Sequence, residues 1–247
     1  MGVTDYNHIA RQYQKAKKHL WRTRIEVYSF MRLLGDVQDK AVLDVACGEG
    51  YLTRRIRHAG AAEVVGIDIS ERMIDLAKAQ EAADPLGITY RVEDAREAAP
   101  ERQFDVAISG WLLDYAGTRA ELAAMCRGLA RSLKPGGRFV TVMTNPALYH
   151  IHIPDYRKYG FTIARDAHAR DGAPIRITTY LDNGTFDIEN YYLPIESYAT
   201  AFEEAGFVHF SVHPLELAPD PEGADDRQFW ADFLASPPFI LIDCDKR

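Results

Sequence analysis

The sequence predicts an α/β protein built on a doubly wound parallel sheet, and three observations carry that reading. Short β-branched apolar runs alternate with amphipathic stretches from Ala41 to Met143, the pattern of strands covered on both faces by crossover helices. A glycine turn, Cys47-Gly48-Glu49-Gly50, follows the first run directly. Acidic residues stand in or just beyond the ends of the first three runs, at Asp44, Asp68 and Asp94. Ligands bind at that rim in open α/β sheets.

The chain has 247 residues, 47% hydrophobic and 26% charged, enough to bury a full core as a single domain over 1–247. Its formal charge of -7 argues against a nucleic-acid partner, which would need a basic surface. A small-molecule partner is expected. The first 18 residues lack a secretory apolar core, and no later stretch reaches a membrane span, so the expectation is a cytoplasmic protein without membrane contact. The cysteines, Cys47, Cys126 and Cys244, are far apart and lack metal-ligand spacing, so no metal site is expected. Cys47 falls in the glycine turn, where its small size is the simplest explanation.

Residues 4 to 34 read as a helical cap in two pieces. Tyr6, Ile9 and Tyr13 share one face of the first, and Trp21, Ile25, Tyr28 and Leu33 punctuate the second. Ala41 to Ala46 is a buried strand, and Leu52 to Gly60 is the helix after its glycine turn. Val64 to Ile69 forms the second strand, and Ser70 is the N-cap of the helix carrying Met73, Ile74 and Ala77. Ile88 to Val92 is a third strand followed by Asp94, which could equally cap a turn. Phe104 to Ser109 is the fourth, leading into Gly110-Trp111-Leu112-Leu113-Asp114-Tyr115. An amphipathic helix, Ala120 to Leu133, then turns at Lys134-Pro135-Gly136-Gly137 into the fifth strand, Arg138 to Met143.

Helical periodicity stops at that point. Ile175 to Leu181 and Thr185 to Leu193 alternate around Asp182-Asn183-Gly184, a hairpin signal. Residues 145–194 thus form an antiparallel insertion rich in tyrosine, suited to a lid over a planar ligand, although hairpins also use aromatic pairs for their own stability. Ile195 to Ala205 is a helix closed by Gly206, Phe207 to Leu217 a strand, Arg227 to Ala235 a helix and Phe239 to Cys244 a last strand. The acidic loop 218–226 receives no function.

The set Val42-Leu-Asp-Val-Ala-Cys-Gly-Glu-Gly50, Asp68, Asp94, Phe104 to Tyr115 and Leu133-Lys-Pro-Gly-Gly137 resembles the Rossmann-like S-adenosylmethionine-dependent methyltransferases over residues 41–143. That resemblance implies a seven-stranded, mostly parallel sheet whose last strand runs antiparallel. It also separates the chain from nicotinamide-dependent dehydrogenases, whose loop carries a third glycine or alanine near the position of Thr53. The N-terminal segment, the tyrosine-rich insertion and the closing Phe-Trp and Pro-Pro-Phe are similar to small-molecule N-methyltransferases of toxoflavin-type azapteridine biosynthesis.

The resemblance implies S-adenosylmethionine as cofactor. Its methionine part would cross Gly48 and Gly50, bordered by Ala46, with Asp44 and the Ser109 carbonyl near the amino group. Asp68 would hold the ribose hydroxyls, Ile69 and Met73 would contact adenine, and Asp94 and Ala95 would meet the ring's polar edge. Tyr13 and Trp21 would close over the carboxylate end. Methyl transfer is an in-line displacement that rests mainly on alignment. The candidates for substrate positioning and catalysis are Tyr6, Trp111, Asp114 and Tyr115, with Tyr180, Tyr191 and Tyr192 as lid contacts. His150 and His152 could act as bases if the acceptor were an alcohol or phenol. The expected reaction is methylation, at nitrogen by preference, of a small planar heteroaromatic of secondary metabolism by a monomer or homodimer. O- or C-methylation of another small metabolite, a non-catalytic cofactor-binding subunit, or a protein or RNA methyltransferase are the alternatives. The acidic balance speaks against RNA, and an enclosing lid against a protein tail.

Overall fold

The computed structural model describes residues 6–98, 103–220 and 225–247. The expected helix start at residues 4 and 5, and residues 221–224 of the acidic loop, lie outside them. The cap comprises α1 (Tyr6–Ala16), a π-helical turn (Arg22–Val27) and α2 (Tyr28–Leu34). The sheet then begins with β1 (Ala41–Val45), α3 (Tyr51–His58), β2 (Glu63–Asp68), α4 (Glu71–Ala83) and β3 (Thr89–Val92). It continues with β4 (Phe104–Gly110), α5 (Arg119–Ser132) and β5 (Leu133–Thr144).

Alternation along β1 shows why the sheet is buried on both sides. Val42 belongs to the core under α2, while Leu43 and Val45 belong to the core under α5, as a two-residue side-chain period requires. Strand order is β3-β2-β1-β4-β5 with all neighbours parallel. The order reverses between β1 and β4, which places a crevice at their carboxyl ends.

The insertion holds β6 (Phe161–Arg165), β7 (Ala173–Leu181) and β8 (Gly184–Tyr192), a separate antiparallel sheet in that order. The hairpin was legible; β6 was not, because Phe161 to Arg165 is too short to show a period. The chain closes with α6 (Ile195–Glu204), β9 (Phe207–His213), α7 (Arg227–Ala235) and β10 (Phe239–Lys246). β10 lies between β5 and β9, antiparallel to both, so the main sheet has the seven strands and single reversed strand that were expected. Two boundaries differ by more than two residues. β9 ends at His213 rather than Leu217, and β5 starts at Leu133, before the glycine turn, with a register shift between Phe104 and Val106 on β4 absorbing the extra residues.

Candidate active site

The glycine turn after β1 has an open side and a filled side. Ala46, Gly48 and Gly50 all have positive φ, at 60°, 56° and 89°. A Cβ on Gly50 would collide with the Tyr90 hydroxyl, whereas a Cβ on Gly48 would meet nothing within 4 Å. Gly50 is thus needed for packing against β3, and Gly48 leaves the outer face of the loop free for a ligand.

Beneath the loop, Thr53 Oγ1 donates to Asp44 Oδ2 at 2.6 Å, while Asp44 Oδ1 is buried without a partner. Burial pushes the Asp44 carboxyl up to about 7; the Thr53 bond and Lys17 pull it down, and Asp68 pushes it further up. A buried, half-satisfied carboxylate is costly unless a ligand completes it. Asp68 is fixed at the end of β2, where Oδ2 accepts from the Gly48 N–H and Oδ1 from the Ser70 N–H, each at 2.8 Å. Burial raises its pKa and those two N–H bonds lower it. Just beyond it, Ile69 is 64% exposed and Val92 49% exposed, two apolar side chains at the rim of adjacent strands. An orphan carboxylate oxygen for a cation, an anchored carboxylate for hydroxyls and an apolar ledge for a flat ring fit an adenosyl amino acid.

The cap packs against this rim. Asn7 Oδ1 on α1 accepts from Ser70 Oγ at 2.7 Å and from the Arg72 N–H at 3.1 Å, and Met73 is buried under α1 with Ala10 and Tyr13. Met73 therefore contacts the cap rather than an open slot. Lys17 donates to the Tyr13 hydroxyl at 3.3 Å and lies over the rings of Tyr13 and Tyr51, 4.5 and 4.9 Å from their centroids. Asp94 caps its own turn and binds Arg96 through both oxygens, which lowers its pKa; Ala95 is half-buried next to it. Ser109 is buried at the tip of β4, its Oγ paired with Thr141 Oγ1 at 2.8 Å.

A cavity lies between the cap, the rim of β4 and the insertion, with an empty volume, mouth included, of about 570 Å³. The cap contributes Tyr6, Tyr13, His19, Trp21 and Arg22; the segment after β4 contributes Trp111 and Tyr115; β10 contributes Phe239. The insertion supplies Phe161, Ile163, Ile177, Thr179, Ile188 and Asn190. The Tyr6 and Tyr115 hydroxyls are hydrogen-bonded to each other. Burial raises both phenols well above their usual range; Tyr115 and Tyr13 raise Tyr6 further, and Asp114 and Tyr13 raise Tyr115 while its bond to Tyr6 lowers it. Both are protonated at neutral pH. Trp111 has a φ of 67°, an unfavourable conformation for a bulky residue. It is held by its N–H bond to the Val142 carbonyl and by Nε1 donating to Glu26 Oε1 at 2.5 Å. Glu26 in turn takes both oxygens to Arg22 Nη1 at 2.8 Å.

The structure brings together Tyr6, Tyr13, Trp21, Trp111 and Tyr115 as cavity wall. Trp21 faces this cavity, packed among Trp111, Phe161 and Phe239, rather than the glycine loop. The three lid tyrosines lie elsewhere. Alternation turns Ile177 and Thr179 on β7, and Ile188 and Asn190 on β8, towards the cavity, so Tyr180 and Tyr191 point away. Tyr180 bonds to Thr162 and Tyr191 to Glu189, and Tyr192 packs on Tyr149 with centroids 4.6 Å apart. Asp114 lies one layer behind the wall, fully buried, with Oδ2 accepting from Thr144 Oγ1 at 2.9 Å. His150 pairs with the Tyr192 hydroxyl. The histidine in the wall is His19, whose pKa burial lowers. Cys47 is buried, and burial keeps its thiol protonated. Among the described residues no group of three side chains could hold a metal, and no helix is long and apolar enough to cross a membrane.

Comparison with known proteins agrees with this geometry. The profile of the methyltransferase domain family matches residues 42–137. A demethylmenaquinone methyltransferase of Symbiobacterium thermophilum is 30% identical over 191 residues, 71% of each chain. An N-demethylindolmycin N-methyltransferase of Streptomyces griseus is 28% identical over 203 residues, 81% of this chain and 78% of the relative. The crystal structure of an S-adenosylmethionine-dependent methyltransferase from Mesorhizobium loti superposes with a TM-score of 0.63 at 26% identity, covering 90% of this chain and 97% of the other. The chain belongs to the S-adenosylmethionine-dependent methyltransferases. It is an enzyme of that family, and S-adenosylmethionine is its cofactor.

Proposed function

We propose that this methyltransferase acts on a small, planar heteroaromatic metabolite and methylates a ring nitrogen, as a single-domain cytoplasmic enzyme of secondary metabolism, on a substrate of the azapteridine, toxoflavin-like kind. The observation that carries the reading is the cavity walled by Tyr6, Tyr13, Trp21, Trp111, Tyr115 and Phe161. Aromatic walls on several sides favour a flat ring. The N-methyltransferase relative supports nitrogen as the acceptor.

When bound, the cofactor supplies an electrophilic methyl on a positively charged sulfur. Asp68 holds the ribose hydroxyls, Ile69 and Val92 lie against the base, and Asp94 and Ala95 border its polar edge. Ala46, Gly48 and Gly50 admit the methionine part; Asp44 and the Ser109 carbonyl take its ammonium group, and Lys17 beside Tyr13 takes its carboxylate. Tyr6 and Tyr115 fix the acceptor's edge, and Trp111 and Trp21, packed edge to face, border it and exclude water. Alignment of this kind supplies roughly 7–11 kcal/mol of the barrier.

A second reading has one observation in its favour. His19 lines the cavity and is held below its usual pKa by burial, so its neutral ring could take the proton of a hydroxyl acceptor. Supplying cofactor labelled in its methyl group to a metabolite pool, before and after digestion of all macromolecules, tests both. Label in a nitrogen-methylated low-mass product is expected. Label in a methyl ether favours the second reading, and label confined to protein or RNA, or none, overturns both.

A further inference from the structure

Behind the cavity wall, five side chains follow one another from a buried carboxylate to the cavity. Asp114 Oδ2 accepts from Thr144 Oγ1 at 2.9 Å, and Thr144 Oγ1 lies 3.1 Å from Asn190 Oδ1. Asn190 lies against the Tyr115 hydroxyl without a hydrogen bond to it in this structure, and Tyr115 is bonded to Tyr6. Asn190 is 1% exposed and its Nδ2 has no partner, although it lines the cavity wall. A hydroxyl can donate only once, so Thr144 cannot serve Asp114 and Asn190 Oδ1 together. The network therefore has two self-consistent arrangements, related by a half-turn of the Asn190 amide.

With Asp114 ionised, Thr144 donates to Asp114, Asn190 Nδ2 donates to Thr144, Tyr115 donates to Asn190 Oδ1, and Tyr6 donates to Tyr115. Tyr6 then presents a lone pair to the cavity. With Asp114 protonated, every bond reverses: Asp114 donates to Thr144, Thr144 to Asn190 Oδ1, Asn190 Nδ2 to Tyr115, and Tyr115 to Tyr6. Tyr6 then presents its proton. Once Asn190 closes on Tyr115, both arrangements give its Nδ2 one acceptor, and Asp114 Oδ1, buried without a partner, makes the ionised arrangement the costlier of the two.

We propose that Asp114, Thr144, Asn190, Tyr115 and Tyr6 form one directional hydrogen-bond chain, in which the charge on Asp114 decides whether Tyr6 accepts a ring N–H from the substrate or repels it. Tyr6 touches the substrate, and the other four are positioning residues. No proton travels the length of the chain, because an amide reorients rather than relays. This inference rests on the reading of the cavity as the substrate site, and it narrows that substrate to a heteroaromatic carrying a ring N–H at its bound edge. The groups facing Asp114 are all neutral: Thr144 from β5, Asn190 from β8, Tyr6 from α1, Tyr115 next in sequence and Tyr198 from α6. Burial alone raises the Asp114 carboxyl, to about 6. The switch therefore falls just below neutrality, with the accepting state at higher pH.

The test needs no knowledge of the natural substrate. The side-chain amide of Asn190, followed by 15N NMR in the complex with S-adenosylhomocysteine, should titrate together with the 13C-labelled Asp114 carboxyl between pH 5 and 8. The Thr144→Val variant should abolish the Asn190 step while the Asp114 carboxyl still titrates. In parallel, pteridine-2,4-dione should bind about tenfold tighter at pH 7.5 than at pH 5, and its 1,3-dimethyl derivative, which lacks both ring N–H groups, should show no such step. An Asn190 amide that does not follow Asp114, or a binding step that survives in Thr144→Val or appears with the dimethyl compound, overturns the chain. Tyr115→Phe cuts the same chain at another place and replaces Thr144→Val if that variant does not fold. Failure of both pteridines to bind while S-adenosylhomocysteine is retained counts against the heteroaromatic reading, and the amide titration still decides the chain.

Discussion

Thr53 Oγ1 donates to Asp44 Oδ2 at 2.6 Å and leaves Asp44 Oδ1 buried and alone. The position where a dehydrogenase loop would carry a small apolar residue here carries the hydroxyl that orients this carboxylate. The pair holds one oxygen still and leaves the other without a partner.

The Asp44 carboxyl sits at about 7 in the folded chain, against about 3.9 for an unfolded aspartate. The folded state thus binds a proton more tightly, so this contribution is complete below pH 4 and is lost as pH rises to 7. Asp114 has the same sign and its loss ends near pH 6. The melting temperature of the free protein should fall between pH 5 and 7.5, and Asp44→Asn should flatten much of that slope in a thermal scan.

Cofactor binding should show the opposite trend. An ammonium group at Asp44 Oδ1 favours the ionised carboxylate, so S-adenosylmethionine affinity should rise from pH 6 to pH 8 by about tenfold in calorimetry. In Asp44→Asn the rise should be absent and the affinity low throughout.

Asp68→Ala removes the carboxylate that the Gly48 and Ser70 N–H groups hold in place. Cofactor affinity should drop by roughly tenfold to a hundredfold, the worth of hydrogen bonds to a charged group, with the far-ultraviolet dichroism unchanged. An unaltered dissociation constant would remove Asp68 from the ribose site.

Tyr6→Phe keeps the ring and deletes the hydroxyl bonded to Tyr115. Turnover should fall about tenfold or more while cofactor affinity changes little. An equal loss of both would move Tyr6 into the cofactor site.

Glu26 is buried, paired with Arg22 and bonded to Trp111 Nε1. Glu26→Leu leaves a buried guanidinium and an indole N–H unpaired, at a cost of about 3–5 kcal/mol, readable from the urea midpoint. The change should also release Trp111 from its positive-φ conformation and raise KM.

The sheet and the glycine turn were legible because their signals are local: alternating apolar runs and helices, positive-φ glycines, and acids at strand ends. The cavity was legible only in part. Tyr6, Trp111 and Tyr115 stand beside recognisable elements, but the insertion's contribution depends on which face of β7 and β8 turns inwards. The tyrosines drew attention there by their chemistry, whereas the parity of the strands gave the inward face to Ile177, Thr179, Ile188 and Asn190. Lys17 could have been found, since it lies one turn beyond Tyr13 on the same face of the cap. The Thr144–Asn190 contact joins residues from two separate sheets, and nothing in their spacing announces it. The π-helical turn that carries Arg22 and Glu26 likewise has no sequence period of its own to read.

That cofactor and cavity are two halves of one site is tested most directly by a crystal structure with S-adenosylhomocysteine. The ribose hydroxyls should lie on Asp68, the adenine against Ile69 and Val92, and the sulfur should face the cavity bounded by Tyr6 and Tyr115. A ribose away from Asp68, or a sulfur turned away from that cavity, would contradict it.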